Sequence, residues 1–353
     1  MIEKALQPDA PLFEAVRAIE ASGRRIAVVV DPEAKLLGTL TDGDVRRCLL
    51  AGGDLKTPVR NAMNTKPLTA QECSAQGYLL ELMQRGNILA IPLVDDAGRL
   101  VRLVHLSDLS PAEDILLTSQ YAFAVIMAGG QGMRLRPLTE NIPKPMVDIA
   151  GVPLLERLIQ RIAKAGITKL YLSVNHLSQV IEDHFGDGAE FGLAIRYLRE
   201  KEKLGTAGAL SLLPENPTAP ILVMNGDILT ASDFESLYTF HQNHKAMVTV
   251  AAVDHHVQIP YGVINARGAF VTEIVEKPSQ RFLCNAGIYA VSPEALELVP
   301  PNRPCNMTDI IAGVLQRGQT IAVYPVHEYW SDIGTPADLE RARRLYSEPP
   351  KMP

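Results

Sequence analysis

The chain has 353 residues, enough for two domains, with 47% hydrophobic and 21% charged residues, which excludes disorder, collagen-like structure and coiled coil as the dominant organisation. The net charge of −6, from 34 Lys+Arg against 40 Asp+Glu, gives no general pull toward nucleic acid or an anionic membrane surface; a local basic pocket for a small phosphorylated ligand is compatible with it. Cys48, Cys73, Cys284 and Cys305 are scattered with no CxxC spacing and read as reduced thiols rather than a disulfide framework or zinc site.

The opening MIEKALQPDA lacks the basic-then-apolar profile of a signal peptide. Apolar runs such as Ile26–Val30, Phe123–Ala128 and Ile221–Met224 are strand-sized, far short of a membrane span. A soluble, cytoplasmic protein is expected.

The first third contains a repeat. Ala27-Val-Val-Val-Asp31 is echoed by Ile91-Pro-Leu-Val-Asp95, 64 residues later, and Gly38-Thr-Leu-Thr-Asp-Gly-Asp44 by Arg102-Leu-Val-His-Leu-Ser-Asp108 at the same offset. Each copy predicts a helix, an apolar strand, a turn, a second strand and a helix beginning at the last Asp, with Asp44 and Asp108 as N-caps. So small a unit cannot bury its own sheet face, so the copies are expected to pack together. This spacing resembles the tandem CBS domain over residues 1–115. The resemblance implies an adenine nucleotide held by Gly38, Thr41 and Asp44. The second copy keeps only Asp108, with Arg102 and His105 at the other positions. A purely structural or dimerising module stands beside the ligand-binding reading. Ser110–Gln120, with no strand pattern and one Pro, reads as the interdomain linker.

The second domain opens with the apolar strand Tyr121–Ala128, which runs into Gly129-Gly-Gln-Gly-Met-Arg134. Glycines at 129, 130 and 132 let backbone N–H groups approach phosphate oxygens. Arg134 and Lys144, the latter between two prolines, supply two cations that could hold a triphosphate from both sides. There is no third glycine for a dinucleotide fingerprint and no GKS or GKT. Glu200 and the turn Leu204-Gly-Thr-Ala-Gly208 follow, then Ile221-Leu-Val-Met224 delivering Asn225-Gly-Asp227 at a strand's carboxyl end, where ligand sites of α/β sheets concentrate. Pro260-Tyr-Gly262, Glu276-Lys-Pro278, Asn285-Ala-Gly287 and Trp330-Ser-Asp332 complete the series. His241/His244 and His255/His256 lack zinc spacing and read as surface features.

This ordered set resembles the nucleotidyltransferases that make nucleotide sugars, over residues 121–346. Within that group LGTAGALSLL, MNGDILT, IPYGVIN and NAGIYAVSP are similar to sugar-1-phosphate guanylyltransferases, of the glucosamine-1-phosphate type that serves legionaminic acid synthesis. The resemblance implies an α/β fold: a Rossmann-like, mostly parallel three-layer sheet, preceded here by the small α+β tandem CBS module. It implies an NTP and a sugar 1-phosphate as substrates, a nucleotide sugar and pyrophosphate as products, and Mg²⁺ held by Asp227 and Asp332. Arg134 and Lys144 would be catalytic. Ala128, Gly129, Gly130, Gly132, Glu200, Gly205, Thr206 and Asn225 would line the nucleotide, and Gly262, Glu276, Lys277 and Asn285 the sugar phosphate. One departure is Met133, where the family's usual residue is Thr. A carboxylate at 200 matches the adjacent N1–H and N2–H₂ donors of guanine, favouring GTP; Glu200 could equally be a solvated member of the EKEK run. The same reaction with mannose 1-phosphate or a heptose phosphate, or with UTP, dTTP or CTP, stays open. So does a nucleotide-sensing protein without turnover. Association of paired CBS modules in the family implies a homo-oligomer.

Overall fold

The computed structural model describes residues 5–22, 25–86, 88–109, 119–130 and 132–347. It divides into two compact units, 1–115 and 116–353. Most of the expected linker, residues 110–118, lies outside the described residues.

In the first unit the repeat is structural. One copy comprises the helix Leu12–Ser22, the antiparallel strands Ile26–Val30 and Leu36–Thr41, and the helix Asp42–Leu50. The other comprises Gln76–Gly86, the antiparallel strands Ala90–Val94 and Leu100–His105, and the short helix Leu106–Leu109. Period-two alternation explains why one copy is insufficient. Ala27 and Val29 pack beneath Leu12, Ala15, Val16 and Ile19, whereas Val28 and Val30 face away and join Ala90, Leu100 and Leu103 of the other copy. Two backbone bonds, Leu36 N–H to Gly98 O (3.0 Å) and Leu100 N–H to Ala34 O (2.9 Å), stitch the copies at their turns.

The expectation that Asp44 and Asp108 are N-caps is corrected. The helix begins at Asp42 with Thr41 as cap. Asp44 is its third residue, and Oδ2 reaches back to accept from Thr41 N–H (2.8 Å) and Oγ1 (2.6 Å). In the second copy Asp108 Oδ2 accepts from His105 N–H at 2.9 Å. A carboxylate three residues into a helix satisfies the cap's own N–H, leaving the cap position to a residue further back. Gly38 also has a local reason: a Cβ there would lie 2.5 Å from Asn64 O.

The second unit is built on a seven-stranded sheet. Its strands are β1 (Ala124–Met127), β2 (Lys169–Val174), β3 (Ala194–Arg199), β4 (Ile221–Asn225), β5 (Val248–Gln258), β6 (Ser279–Val291) and β7 (Ile321–Val326), in spatial order β3-β2-β1-β4-β6-β5-β7. Only β6 runs antiparallel to its neighbours. Burial on both faces follows from strand composition. Ala124 and Ile126 pack with Leu155, Leu158, Ile159 and Ile162 of the helix Leu154–Lys164 and with Phe234 and Leu237 of the helix Phe234–Asn243. Val125 and Val223 face the other way, onto Met307, Ile310 and Val314 of the helix Met307–Gln316. The sheet is therefore the middle of three layers.

His241 departs from the surface role expected of it. Its side chain is buried, 2% exposed, with Nδ1 2.9 Å from Thr249 Oγ1 and Nε2 2.9 Å from Ser292 Oγ. Burial lowers its pKa to about 4, so the ring is neutral near pH 7. His255 and His256 lie exposed on β5, as expected. Among the described residues no helix is long and apolar enough to cross a membrane.

Candidate active site

The chain order of the sheet reverses at β1, which has β2 on one side and β4 on the other. A crevice forms outside the carboxyl ends of two strands at such a point. β1 ends at Met127 and opens into Ala128-Gly129-Gly130; Gln131 lies outside the described residues, and Gly132 begins the turn Met133–Leu135. The glycines have different reasons to be there. A Cβ on Gly132, at φ +60°, would lie 2.9 Å from Lys144 Cβ and 3.0 Å from Thr139 Cγ2, and Thr139 Oγ1 donates to Gly132 O at 2.7 Å. A Cβ on Gly129 would lie 3.1 Å from Glu200 Oε1. Gly130 has open space where its Cβ would be, so packing does not demand glycine there.

β4 delivers Asn225-Gly-Asp227 beside this loop. Gly226 N–H donates to Met127 O at 2.9 Å, and a Cβ on Gly226 would lie 2.8 Å from that oxygen. The chain then forms a two-stranded ribbon, Ile228–Thr230 against Trp330–Asp332, with Ile228 opposite Asp332. Ile333 N–H donates to Asp227 O at 2.9 Å. That ribbon brings the two distant carboxylates, Asp227 and Asp332, to one place.

Between them comes Lys144. Pro143 and Pro145 flank it in a short turn, and it is 7% exposed. Its Nζ lies 2.5 Å from Asp227 Oδ2 and 3.7 Å from Asp332 Oδ1. Arg134 is adjacent: a Cβ on Gly334 would meet its guanidinium nitrogens at 3.3 and 3.4 Å and Asp332 Oδ2 at 3.0 Å. Burial and the Asp227 charge push the Asp332 carboxyl above its ordinary range, against the opposing pull of Lys144 and Arg134. Two hard oxygen donors converging on one cation suit a divalent ion such as Mg²⁺.

The residues expected to line a nucleotide fall into place less uniformly. Glu200 follows β3, and both its carboxylate oxygens are engaged: Oε1 accepts from the buried Ser173 hydroxyl, and Oε2 from Leu204 N–H at 2.8 Å. Asn175 Nδ2 donates to the Glu200 carbonyl at 2.8 Å. Glu200 is thus an anchored residue rather than a solvated member of its charged run, whose Lys201, Glu202 and Lys203 are exposed. Gly205, at φ +80°, would clash with Cys305 O at 2.7 Å if it bore a Cβ. The Thr206 hydroxyl accepts from Met307 N–H at 3.0 Å, and Thr206 N–H donates to Asn306 Oδ1 at 3.2 Å. This turn is latched to the start of the helix Met307–Gln316. Ser173, Asn175 and Asn306 went unnoticed in the sequence, because single polar residues in apolar strands or loops carry no spacing signal. The Asn225 amide lies across Gly287, whose Cβ would be 2.6 Å from Nδ2.

Of the residues expected to face the sugar phosphate, Gly262 and Glu276 meet, a Cβ on Gly262 lying 2.9 Å from Glu276 Oε2. Lys277, at φ +46°, donates its N–H to Tyr261 O at 3.2 Å. These residues stand exposed at the base of the hairpin formed by Val263–Arg267 and Phe270–Val275. Among the described residues, neither the Glu276 nor the Lys277 side chain forms an ion pair with the Lys144–Asp227–Asp332 group. Asn285 Oδ1 accepts from Gly287 N–H (2.9 Å), and its Nδ2 donates to Tyr289 OH (2.8 Å). The adjoining Ala286 O accepts from Trp330 Nε1 at 2.8 Å, joining this segment to the ribbon.

A glycine loop, two cations and two facing carboxylates at the switch point of a mostly parallel sheet define a nucleotide-handling α/β protein. Residues 123–348 match the nucleotidyl transferase family, and the chain belongs to that family; residues 4–51 and 59–113 match the CBS domain. A mannose-1-phosphate guanylyltransferase of Mycobacterium tuberculosis is 35% identical over 228 residues, 62% of this chain and 62% of that protein. The mannose-1-phosphate guanyltransferase beta-B of Xenopus laevis is 34% identical over 233 residues, 63% of this chain and 64% of its own. The chain therefore spans less than two thirds of the length of these relatives. Among solved structures, HddC from Yersinia pseudotuberculosis has a TM-score of 0.50 at 26% identity, covering 63% of this chain and 98% of its own. A candidate glucose-1-phosphate thymidylyltransferase from Bacillus anthracis has a TM-score of 0.52 at 24% identity, covering 64% and 96%, a likeness of fold.

Proposed function

We propose that this protein is a sugar-1-phosphate guanylyltransferase, joining GTP and a hexose 1-phosphate into a GDP-sugar with release of pyrophosphate. The observation that carries the reading is the convergence of Lys144 and Arg134 on the Asp227–Asp332 pair beside the Gly129–Gly132 loop. In the reaction a sugar-phosphate oxygen attacks the α-phosphorus of the NTP in line. The new P–O bond forms as the bond to the β-phosphate oxygen breaks, and pyrophosphate takes the electron pair. No covalent nucleophile is needed; positioning and charge neutralisation supply the rate. Arg134 and Lys144 counter the charge on the α-phosphate and leaving group. Asp227 and Asp332 would hold Mg²⁺, which when bound supplies charge neutralisation at the phosphates. Glu200, fixed by Ser173 and Leu204, keeps free lone pairs and presents an acceptor to the guanine edge.

The guanylyl choice is supported by that acceptor and by the names of the curated relatives, which also make mannose 1-phosphate the first sugar to test. Glucosamine 1-phosphate, for bacterial surface glycans or legionaminic acid, is the second, on the motif stretches NAGIYAVSP and IPYGVIN. Gly262, Glu276, Lys277 and Asn285 would hold the sugar phosphate. The CBS module would sense an adenine nucleotide near Gly38–Asp44 and associate with a second copy, and use of GTP places the reaction in the cytoplasm. Pyrophosphate release is to be measured across GTP, UTP, dTTP, CTP and ATP with mannose, glucosamine, N-acetylglucosamine and glucose 1-phosphates. Release confined to GTP supports the reading, and the responding sugar names the substrate. Release with UTP or CTP alone overturns the base assignment, and nucleotide binding without any release points to a sensor.

A further inference from the structure

We infer that Lys144 is a built-in counter-ion for the Asp227–Asp332 pair, and that the protein takes up its divalent cation together with nucleotide because the phosphates must first draw this ammonium away. The inference rests on the metal assignment proposed above. Lys144 Nζ sits on Asp227 Oδ2 at 2.5 Å and within 3.7 Å of Asp332 Oδ1, so a cation bridging the two carboxylates competes with the ammonium for the same charge and for one of the Asp227 oxygens. The side chain is fixed at its root, so only its outer carbons and the ammonium are left to swing from the carboxylates to a phosphate. Its stem lies beneath Gly132, where even a single added carbon would be 2.9 Å from Lys144 Cβ, and its backbone is fixed between two prolines.

Charge makes the arrangement selective. Lys144 and Arg134 face Asp227 and Asp332, so two positive charges already balance the two negative ones, and a metal ion entering alone gains no net attraction. A triphosphate reverses this. Its oxygens compete for the ammonium, the Asp pair is left under-neutralised, and a divalent ion becomes the favoured partner. Both ligands then bias one two-position element, the Lys144 side chain, which is what a coupling free energy between sites requires. By reciprocity, bound metal strengthens nucleotide binding by the same factor.

The test is Mn²⁺ binding to the full chain without nucleotide, followed by the electron paramagnetic resonance of free Mn²⁺, with folding checked by circular dichroism. Lys144→Met is expected to bind Mn²⁺ on the order of tenfold or more tightly than the unmodified protein, within the usual range of coupling between sites. Lys144→Arg, which keeps the charge, is expected to stay within about threefold, far below a full coupling effect. Adding Asp227→Asn to Lys144→Met should abolish the gain. Equal or weaker Mn²⁺ binding by Lys144→Met overturns the inference, while divalent-dependent pyrophosphate release by the unmodified protein would still leave the proposed reaction standing. Tight Mn²⁺ binding that survives Asp227→Asn overturns the metal site itself, and the inference with it. Should Lys144→Met fail to fold, Lys144→Gln takes its place with the same expectation.

Discussion

Lys144 Nζ lies 2.5 Å from Asp227 Oδ2 across 83 residues of sequence, and both side chains sit beside Asp332 on a ribbon that returns near the end of the chain. Because the lysine is almost wholly buried, its partners are needed for more than chemistry: a buried cation without an acid is costly.

Asp227→Asn is therefore expected to lose activity by about 10²-fold or more, as for other preorganised electrostatic contacts, and also to lower thermal stability. Arg134→Ala should lose comparable activity with little change in melting temperature, because Arg134 is exposed whereas Lys144 is buried. Pyrophosphate release and calorimetry on both variants separate the two effects. Equal stability losses would contradict this assignment.

The loop glycines give a second contrast. Gly132→Ala must adopt φ +60° and set a carbon 2.9 Å from Lys144 Cβ, so it should destabilise by about 1–3 kcal/mol. Gly130→Ala meets nothing within 4 Å and should leave stability unchanged while raising the KM for NTP. Trp330, the single tryptophan of the sequence, is bonded to Ala286 O beside the site. Its fluorescence can report nucleotide binding in both variants.

Ser173→Ala removes the hydroxyl that donates to Glu200 Oε1. The expected result is a several-fold higher KM for GTP with kcat retained, since the change loosens a binding loop and touches no reacting group. Glu200→Gln should narrow the preference for GTP over other NTPs. A variant that lost kcat and kept its base preference would contradict the role given to this pair.

His241 sets a pH window for stability. Its pKa is lowered from 6.5 to about 4 in the folded chain. Between those values the unfolded chain binds the additional proton, so stability is complete above about pH 6.5 and falls as pH drops toward 4. The total loss from this group is on the order of 3 kcal/mol. His241→Gln should be less stable at pH 7 yet show a shallower decline between pH 6.5 and 4, measured by chemical denaturation at fixed temperature.

In the first unit, Thr41→Ala removes the hydroxyl that meets Asp44 and should cost about 1 kcal/mol through the helix start. If adenine nucleotide also binds there, calorimetric titration of Asp44→Asn should show the affinity reduced. Unchanged affinity would leave Gly38, Thr41 and Asp44 as purely structural residues.

Much of this architecture was legible in the chain itself. Strand-sized apolar runs marked β1 and β4, the 64-residue offset exposed the repeat, and glycines beside strand ends located the loop, because each is a local property of neighbouring residues. Tertiary structure alone decided the rest. That Asp227 and Asp332 share one site depends on a ribbon between segments about a hundred residues apart. That Glu200 is anchored depends on Ser173 from a neighbouring strand, and that His241 is buried depends on Thr249 and Ser292 closing over it. Spacing along the chain encodes which face a residue takes in its own helix or strand; packing decides which distant residue meets it there, and with it the charge, burial and chemistry of the site.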